Sequence, residues 1–154
     1  MSTVELKNLK HAAVASEETH CFQATVYIDG KREGTVSNEG TGGPNTYSPS
    51  SLQDTLNAIA AKMPPIDMSE YGVREPLPQS DETLIGGIVD RMLEEKQIKR
   101  ICAKSTYFRK PGETYQLGEW STLKSPLTPK TVEALVKKYG DQVKIVGHDV
   151  FTLK

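Results

Sequence analysis

The sequence is poor in cysteine and in long apolar runs, and each shortage excludes a class of protein. Only Cys21 and Cys102 occur among 154 residues. The two could pair, but cysteines this far apart in a chain without other staples ordinarily stay reduced, so a disulfide-stapled scaffold is excluded. No stretch approaches the roughly 20 apolar residues of a membrane span. The first residues lack the basic and apolar segments of a signal peptide, which predicts a soluble cytoplasmic protein.

The chain also has few aromatic residues and a net charge close to zero. Aromatic residues make up 6% of the chain, which predicts a compact core, and 154 residues suffice for a single domain without staples. The formal net charge is −1 and the pI is near 6.3. At this charge we expect no global field that would attract nucleic acid or an anionic membrane.

Catalytic and metal-binding motifs are missing as well. The chain has no Gly-x-Ser-x-Gly elbow and no His-Glu-x-x-His motif. His20 and Cys21 are neighbours on a predicted strand and should point to opposite faces, so they should not converge on a metal with His11. We therefore expect no metal, no cofactor and no enzyme activity. Because carboxylates can act as general acids and bases, an enzyme acting on a phosphate-containing molecule stays an alternative.

A β-hairpin is the clearest local prediction. Residues 20–28 alternate between apolar and polar side chains, which is typical of a half-buried strand, and an Asp-Gly dipeptide separates them from a second strand over 31–37. Val36 reaches the apolar face if the loop has three residues. The pattern therefore favours a loop of residues 28–30, with Gly30 left-handed, over a two-residue type I′ turn.

Three amphipathic helices are predicted from their apolar spacing and their end signals. They cover about residues 49–63, 81–97 and 129–139. Ser48 with proline after it starts the first, Ser80 caps the second, and Thr128 with proline after it starts the third. Two glycines in the second helix, Gly86 and Gly87, predict close packing against a neighbour.

Further strand patterns complete the predicted fold. Residues 3–14 form a weak strand, 99–110 and 113–117 form a second hairpin, and 143–146 form a last strand. We expect an α+β fold with a mostly antiparallel sheet, three helices and a single domain, in which residues 1–47 form the N-terminal hairpin part.

The densest run of glycine lies at residues 37–45, between the predicted hairpin and the first helix. Backbone N–H groups at such a junction can hold a phosphate. Glu39 would repel an anion, however, and the spacing matches neither a P-loop nor a dinucleotide fingerprint. A mobile surface loop and a ligand contact both remain open. The candidate contact residues are Gly40, Thr41, Gly42, Gly43, Asn45 and Tyr47.

A basic segment follows the second helix. Residues 99–110 carry five Lys and Arg residues and no acid, interleaved with aromatic residues. This pattern can hold a nucleic-acid backbone or an acidic protein surface, or it can balance the acidic segment 66–98. The only tryptophan is an interface anchor or a lid on a small core. The candidate contact residues are Lys104, Tyr107, Arg109, Lys110 and Trp120.

One part of the chain resembles a known group of proteins. Residues 15–31, ASEETHCFQATVYIDGK, with GTGGPN at 40–45, look like the N-terminal part of small accessory proteins encoded by tailed phages and prophages. The resemblance covers about a third of the chain and carries no catalytic motif. It implies a protein of the host cell cytoplasm that acts by binding a host protein, a protein complex or a nucleotide signal, and that blocks a bacterial defence.

These observations predict a non-enzymatic binding protein that inhibits a host macromolecule through the glycine run, the basic segment and Trp120. One alternative is a protein that sequesters a nucleotide second messenger. In that case amides of residues 40–43 hold the phosphates, and Tyr27 or Tyr47 stacks on the base, across a homodimer. The other alternative is the enzyme acting on a phosphate-containing molecule.

Overall fold

The computed structural model describes residues 2–112 and 120–149. Over these residues the chain has three α-helices and seven β-strands in two antiparallel sheets, so the predicted α+β fold is confirmed. The strands are β1 Val4–His11, β2 Cys21–Ile28, β3 Lys31–Glu39, β4 Thr46–Ser48, β5 Thr106–Arg109, β6 Ser121–Leu123 and β7 Lys144–Ile145, and the helices are α1 Ser51–Ala60, α2 Asp81–Cys102 and α3 Pro129–Tyr139. The chain divides into two compact units, Met1–Asp90 and Arg91–Lys154.

The first unit contains a four-stranded sheet in the order β1-β2-β3-β4. The predicted strand over 20–28 is confirmed as β2, and its even positions are apolar and face the core. Phe22, Ala24 and Val26 are all buried, and Val36 of β3 pairs with Ala24 on the same face. The apolar face was therefore predicted correctly.

The predicted three-residue loop between β2 and β3 is wrong. Asp29 and Gly30 have φ angles of 51° and 80°, and the residues on either side of them pair directly, which is the pattern of a two-residue type I′ turn. Val36 still reaches the apolar face because Glu33 is an extra residue in β3, at a β-bulge that shifts the register by one. The bulge in β3, and not a longer loop, therefore places Val36 on the apolar face.

The first helix begins later than predicted. Ser48 is the last residue of β4, pairs with Thr35, and is joined to Pro49 by a cis peptide bond, so it does not cap α1. The helix begins at Ser51 and ends at Ala60, and the N–H groups of Lys62 and Met63 then bond to carbonyls three residues back, which tightens the last turn. The predicted apolar stripe is confirmed in Leu52, Leu56 and Ala60, which are buried.

The second helix begins as predicted and extends further than predicted. The Ser80 N–H donates to Thr83 Oγ1 at 2.8 Å, and the Thr83 N–H lies 3.4 Å from Ser80 Oγ, a reciprocal cap. The helix continues to Cys102, so residues 99–102 are helical rather than extended. Ile98 and Cys102 explain the extension, because residues four apart share a helix face and both pack with Val146.

The expected close packing of the two glycines in α2 is absent. A Cβ atom built on Gly86 or on Gly87 meets no other atom within 4 Å, so nothing described in the structure requires a glycine at either position for steric reasons. The glycine pair instead leaves open space beside the helix.

The second unit packs a sheet in the order β6-β5-β7 between two clusters of apolar side chains. Phe108 packs with Leu135 of α3, whereas Tyr107, on the opposite face of β5, packs against the cluster of Ile98, Cys102 and Val146. Helix α3 has the predicted bounds, with Thr128 as its N-cap and Gly140 at its end. The strand predicted at 113–117 lies outside the described residues.

Candidate functional site

A chain of hydrogen bonds crosses the interior of the first unit. Asn38, Asn45, Tyr47 and Asp81 are exposed by 7%, 9%, 7% and 4%. The Tyr47 hydroxyl donates to Asp81 Oδ2 at 2.6 Å, Asn45 Nδ2 donates to the Tyr47 hydroxyl at 3.3 Å, and Asn38 Nδ2 donates to Asn45 Oδ1 at 3.0 Å. This buried polar network joins β3, β4 and the first residue of α2. Buried groups paired in this way fix one arrangement of the elements around them.

Tyr47 has a structural role, because its hydroxyl links Asn45 to Asp81 in this network. Burial raises the pKa of its hydroxyl well above the ordinary value for tyrosine, and the hydrogen bond to Asp81 adds to the shift. Because the side chain is buried and its hydroxyl is engaged, the ring does not present a face for a nucleotide base. The ring of Tyr27, the other tyrosine predicted for stacking, has the ammonium of Lys7 over it, 4.4 Å from the centroid.

Gly40 joins two backbone segments. Its carbonyl accepts the N–H groups of residues 17–19 at 3.0, 3.0 and 3.3 Å, and its own N–H donates to Asn38 Oδ1 at 2.8 Å. The φ angle is 86°, and a Cβ atom would collide with the backbone oxygen of Ala15. Glycine is required here because the two backbones approach too closely for a side chain.

The rest of the glycine run also turns inward. The Gly42 N–H lies 3.4 Å from Thr19 Oγ1, the Gly43 carbonyl accepts from Asn38, and the Asn45 N–H donates to Glu82 Oε1 at 2.6 Å. Thr41, Gly42 and Gly43 are exposed. Two of the four N–H groups predicted to hold a phosphate, those of Gly40 and Gly42, therefore have acceptors within the protein, and so does the N–H of the candidate residue Asn45.

A cleft of about 440 Å³ opens beside this network. Its lining combines a polar rim from the loop after β1 with one face of α2. The lining residues are Ser16, Glu17, Glu18, Thr19, His20, Phe22, Asn38, Asn45, Glu82, Gly86, Val89 and Asp90. Four of them are acidic, and none of these lining residues is Lys or Arg. The cleft is thus a negatively charged recess, with Phe22 and Val89 as apolar surface at its base.

Two histidines and an aspartate form a chain at the cleft. His20 Nε2 lies 2.7 Å from Asp90 Oδ1, and His20 Nδ1 lies 3.2 Å from His11 Nε2. With neutral histidines, His20 donates its Nε2 proton to Asp90, so Nδ1 is the acceptor and His11 is the donor. This arrangement fixes the orientation of the His20 ring on the rim.

The hydroxyl nearest to these histidines is engaged elsewhere. Ser16 Oγ donates to the Ala12 carbonyl at 2.8 Å and accepts the Cys21 N–H at 2.8 Å, so its third contact, 3.3 Å to His11 Nε2, does not offer a proton to the ring. Activation of a nucleophile needs such a transfer. The geometry therefore holds the loop in place and does not resemble a serine nucleophile with its base.

The sequence pattern did not predict that His11 and His20 lie together. It predicted only that the neighbours His20 and Cys21 point to opposite faces, and it did not pair His20 with His11. The signal was available, because His11 ends β1, His20 precedes β2, and antiparallel strands bring such positions together. Within the described residues, no group of three or more His, Cys, Asp and Glu side chains is arranged to hold a metal ion.

The basic candidates lie in the second unit. The Arg109 guanidinium carbon is 4.1 Å from the centre of the Trp120 ring, and Lys110 Nζ is 5.7 Å from the centre of the Tyr139 ring. Tyr107 packs on the cluster around Cys102, and Lys104 is exposed in the turn after α2. The structure therefore brings Arg109 and Trp120 together and gives Tyr107 a packing role.

Comparisons of the chain with protein-family models, with curated proteins and with solved structures give no significant match. Of the helices in the part of the chain that the structure describes, none combines the length and the apolar composition of a membrane span. The geometry of the cleft is therefore the main guide to its function.

Proposed function

We propose that the protein is a non-enzymatic binding protein whose cleft accepts a positively charged side chain of a partner protein. The observation that carries the proposal is the recess of about 440 Å³ with four carboxylates and no Lys or Arg in its lining. Carboxylates form their strongest hydrogen bonds with guanidinium and ammonium groups, and all four carboxylates of the cleft are exposed to an approaching partner.

The shape of the cleft favours a long basic side chain over a small cation. Phe22 and Val89 give the base an apolar surface, and the methylene stems of arginine and lysine pack on such surfaces while their charged ends reach polar groups. Gly86 lines the cleft without a side chain, and this keeps the wall beside α2 open. Arginine suits the site best, since its planar fork can bind two carboxylate oxygens at once.

The resemblance of the N-terminal third to phage accessory proteins supports a host protein as the partner and inhibition as the outcome. The nucleotide alternative is less well supported, because the carboxylates of the cleft would repel phosphates and the N–H groups of residues 40, 42 and 45 have internal acceptors. The alternative of an enzyme acting on a phosphate-containing molecule is less well supported because the four carboxylates of the cleft would repel the phosphate and no Lys or Arg lines the cleft to hold it.

The test is a titration followed by backbone amide NMR spectra, with a tri-arginine peptide as the probe and tri-alanine and tri-glutamate peptides as controls. We expect tri-arginine alone to shift signals of residues 16–20 and 82–90. Gly86→Leu should fill the cleft and abolish these shifts. Gly87→Leu is the matched control, because its Cβ also meets no atom within 4 Å but it does not line the cleft.

Three results would count against the proposal. Tri-alanine could shift the same signals equally, Gly87→Leu could remove binding as completely as Gly86→Leu, or tri-arginine could leave the cleft signals in place. Native mass spectrometry of gently purified protein tests the nucleotide alternative. A bound mass the size of a nucleotide, lost on denaturation, would favour that alternative, and the same spectrum reports whether a homodimer forms.

A further inference from the structure

A long connection with several exposed apolar side chains joins the first two helices. Residues 61–80 separate the end of α1 from the start of α2. Connections longer than about 12–15 residues are uncommon in compact proteins, and many of them serve a function. Of the large apolar side chains that are exposed in the described part of the chain, three lie in this connection, at Tyr71, Val73 and Leu77. Single exposed apolar residues are ordinary, but three within residues 71–77 indicate an interaction surface.

Hydrogen bonds hold this connection in one arrangement although its side chains are exposed. Ile66 and Leu77 exchange two backbone hydrogen bonds of 2.8 and 2.9 Å, which close the segment between them into a loop. Inside this loop, the Met68 carbonyl accepts the N–H groups of Tyr71 and Val73 at 3.0 and 3.2 Å. We call the segment from Ile66 to Leu77 the closed loop. A loop that is ordered before it binds loses less conformational entropy on binding.

The closed loop also carries charges of both signs. Glu70, Arg74 and Glu75 are exposed, and within the part of the chain that the structure describes none of the three forms an ion pair or a side-chain hydrogen bond. Asp67 adds a third carboxylate, whose Oδ1 accepts the N–H of Ser69 at 2.8 Å. The loop therefore offers a guanidinium and two carboxylates that can pair with charges on another molecule.

We propose that the closed loop is the surface through which two copies of this chain associate as a two-fold dimer. A two-fold contact places the same patch of both copies face to face, so the patch must carry its own complement. The closed loop meets this condition, because Arg74 of one copy can pair with Glu70 or Glu75 of the other while the apolar side chains pack together. A uniformly basic or acidic partner would leave one sign of charge unpaired. The association does not depend on what the cleft binds.

The size of the closed loop predicts a weak dimer. Interfaces of standard size use about 20–30 residues from each partner. The closed loop has 12 residues, of which 10 are exposed. We therefore expect monomer and dimer to exchange, with a dissociation constant on the order of 10–100 μM.

The first test is sedimentation velocity of the full chain between about 5 μM and about 1 mM, a range that brackets the expected dissociation constant. Tyr71→Asp should raise this constant about ten-fold or more, because it removes an aromatic ring from the contact and adds a charge there. Val14→Asp is the matched control, since Val14 is 100% exposed and lies outside the closed loop. A protein that stays monomeric at the highest concentration would overturn the proposal. Equal effects of the two variants would overturn it as well.

The second test exchanges the charges of the closed loop. Arg74→Glu alone should weaken the dimer, and so should Glu70→Arg combined with Glu75→Arg, because each change places like charges face to face. A mixture of the two variants should dimerise again, since opposite charges then meet. Lys10→Glu is the control, because Lys10 is exposed on β1 and the substitution changes the net charge as Arg74→Glu does. If the mixture stays monomeric, or if Lys10→Glu weakens the dimer equally, the proposal is wrong, whereas the proposal for the cleft stands.

Discussion

The hydroxyl group of Tyr47 donates a hydrogen bond of 2.6 Å to Oδ2 of Asp81, and both side chains are buried. Tyr47 belongs to β4, and Asp81 is the first residue of α2, 34 residues later in the chain. The bond therefore anchors the start of the helix that forms one wall of the cleft to the sheet.

Tyr47→Phe should destabilise the protein by about 1–3 kcal/mol, because it leaves Asn45 and Asp81 short of a partner in the interior. Tyr71→Phe is the matched control, since Tyr71 is 76% exposed and its loss of a hydroxyl should change stability by less than about 0.5 kcal/mol. Urea unfolding of both variants measures the difference. Equal stability of the two would show that the network contributes nothing.

Stability should fall as the pH rises above about 10. Burial first, and the hydrogen bond to Asp81 second, raise the pKa of Tyr47 in the folded state. The unfolded chain releases this proton near pH 10 and the folded chain keeps it, so the unfolded state binds fewer protons and gains stability there. Unfolding free energies of the protein and of Tyr47→Phe across this range test the point. The variant should lose less stability, and parallel curves would contradict the prediction.

Gly40→Ala should strongly destabilise the protein or prevent its folding, because its Cβ atom would collide with the backbone oxygen of Ala15 and its φ angle is 86°. Gly43→Ala should be tolerated, since a Cβ atom there meets nothing within 4 Å. Thermal unfolding of the two variants provides the comparison. If Gly40→Ala has the same melting temperature as the unsubstituted protein, the backbone at Gly40 does not approach Ala15 closely.

Asp90→Asn should weaken binding of the tri-arginine peptide by about two- to five-fold, the loss expected for one exposed ion pair. The amide also accepts a weaker hydrogen bond from His20, so the histidine ring signals should shift in NMR spectra. Asp54→Asn removes the same charge from an exposed site on α1 outside the cleft and should change neither measurement. Matching effects of the two variants would mean that the peptide responds only to total charge.

Cys21 should react with iodoacetamide faster than Cys102 in the folded protein. Burial raises the pKa of the Cys102 thiol, which lowers its thiolate fraction, and the side chain is 7% exposed and lies 3.5 Å from the Val146 carbonyl. Cys21 is half-buried. Peptide mapping after brief labelling, with urea-unfolded protein as the control, gives the two rates. Equal rates in the folded state would argue against a buried Cys102.

Local signals determined much of the fold. Thr128 with proline after it and Gly140 set the bounds of α3 to the residue, because a cap acts within one turn of its own helix. Ser80 marked the start of α2 for the same reason. The end of α2 was missed because contacts of Ile98 and Cys102 with Val146, distant in sequence, extend the helix.

Pairing between distant residues decided the remainder of the sheet. Strand β4 has three residues and no pattern of its own, and it exists because it pairs with β3. The bulge at Glu33 corrects the register that the Asp29-Gly30 turn sets, and a pattern of alternating side chains cannot distinguish a longer loop from a bulge.

The sequence by itself determined the α+β class, the apolar faces of the strands and the starts of α2 and α3, since these depend on neighbouring residues. Only the tertiary structure decided the candidate sites. It turned the N–H groups of residues 40, 42 and 45 inward and joined His20 to His11 and Asp90. Such contacts join residues far apart in the chain, 70 positions for His20 and Asp90, whereas a sequence pattern reports only on neighbouring residues.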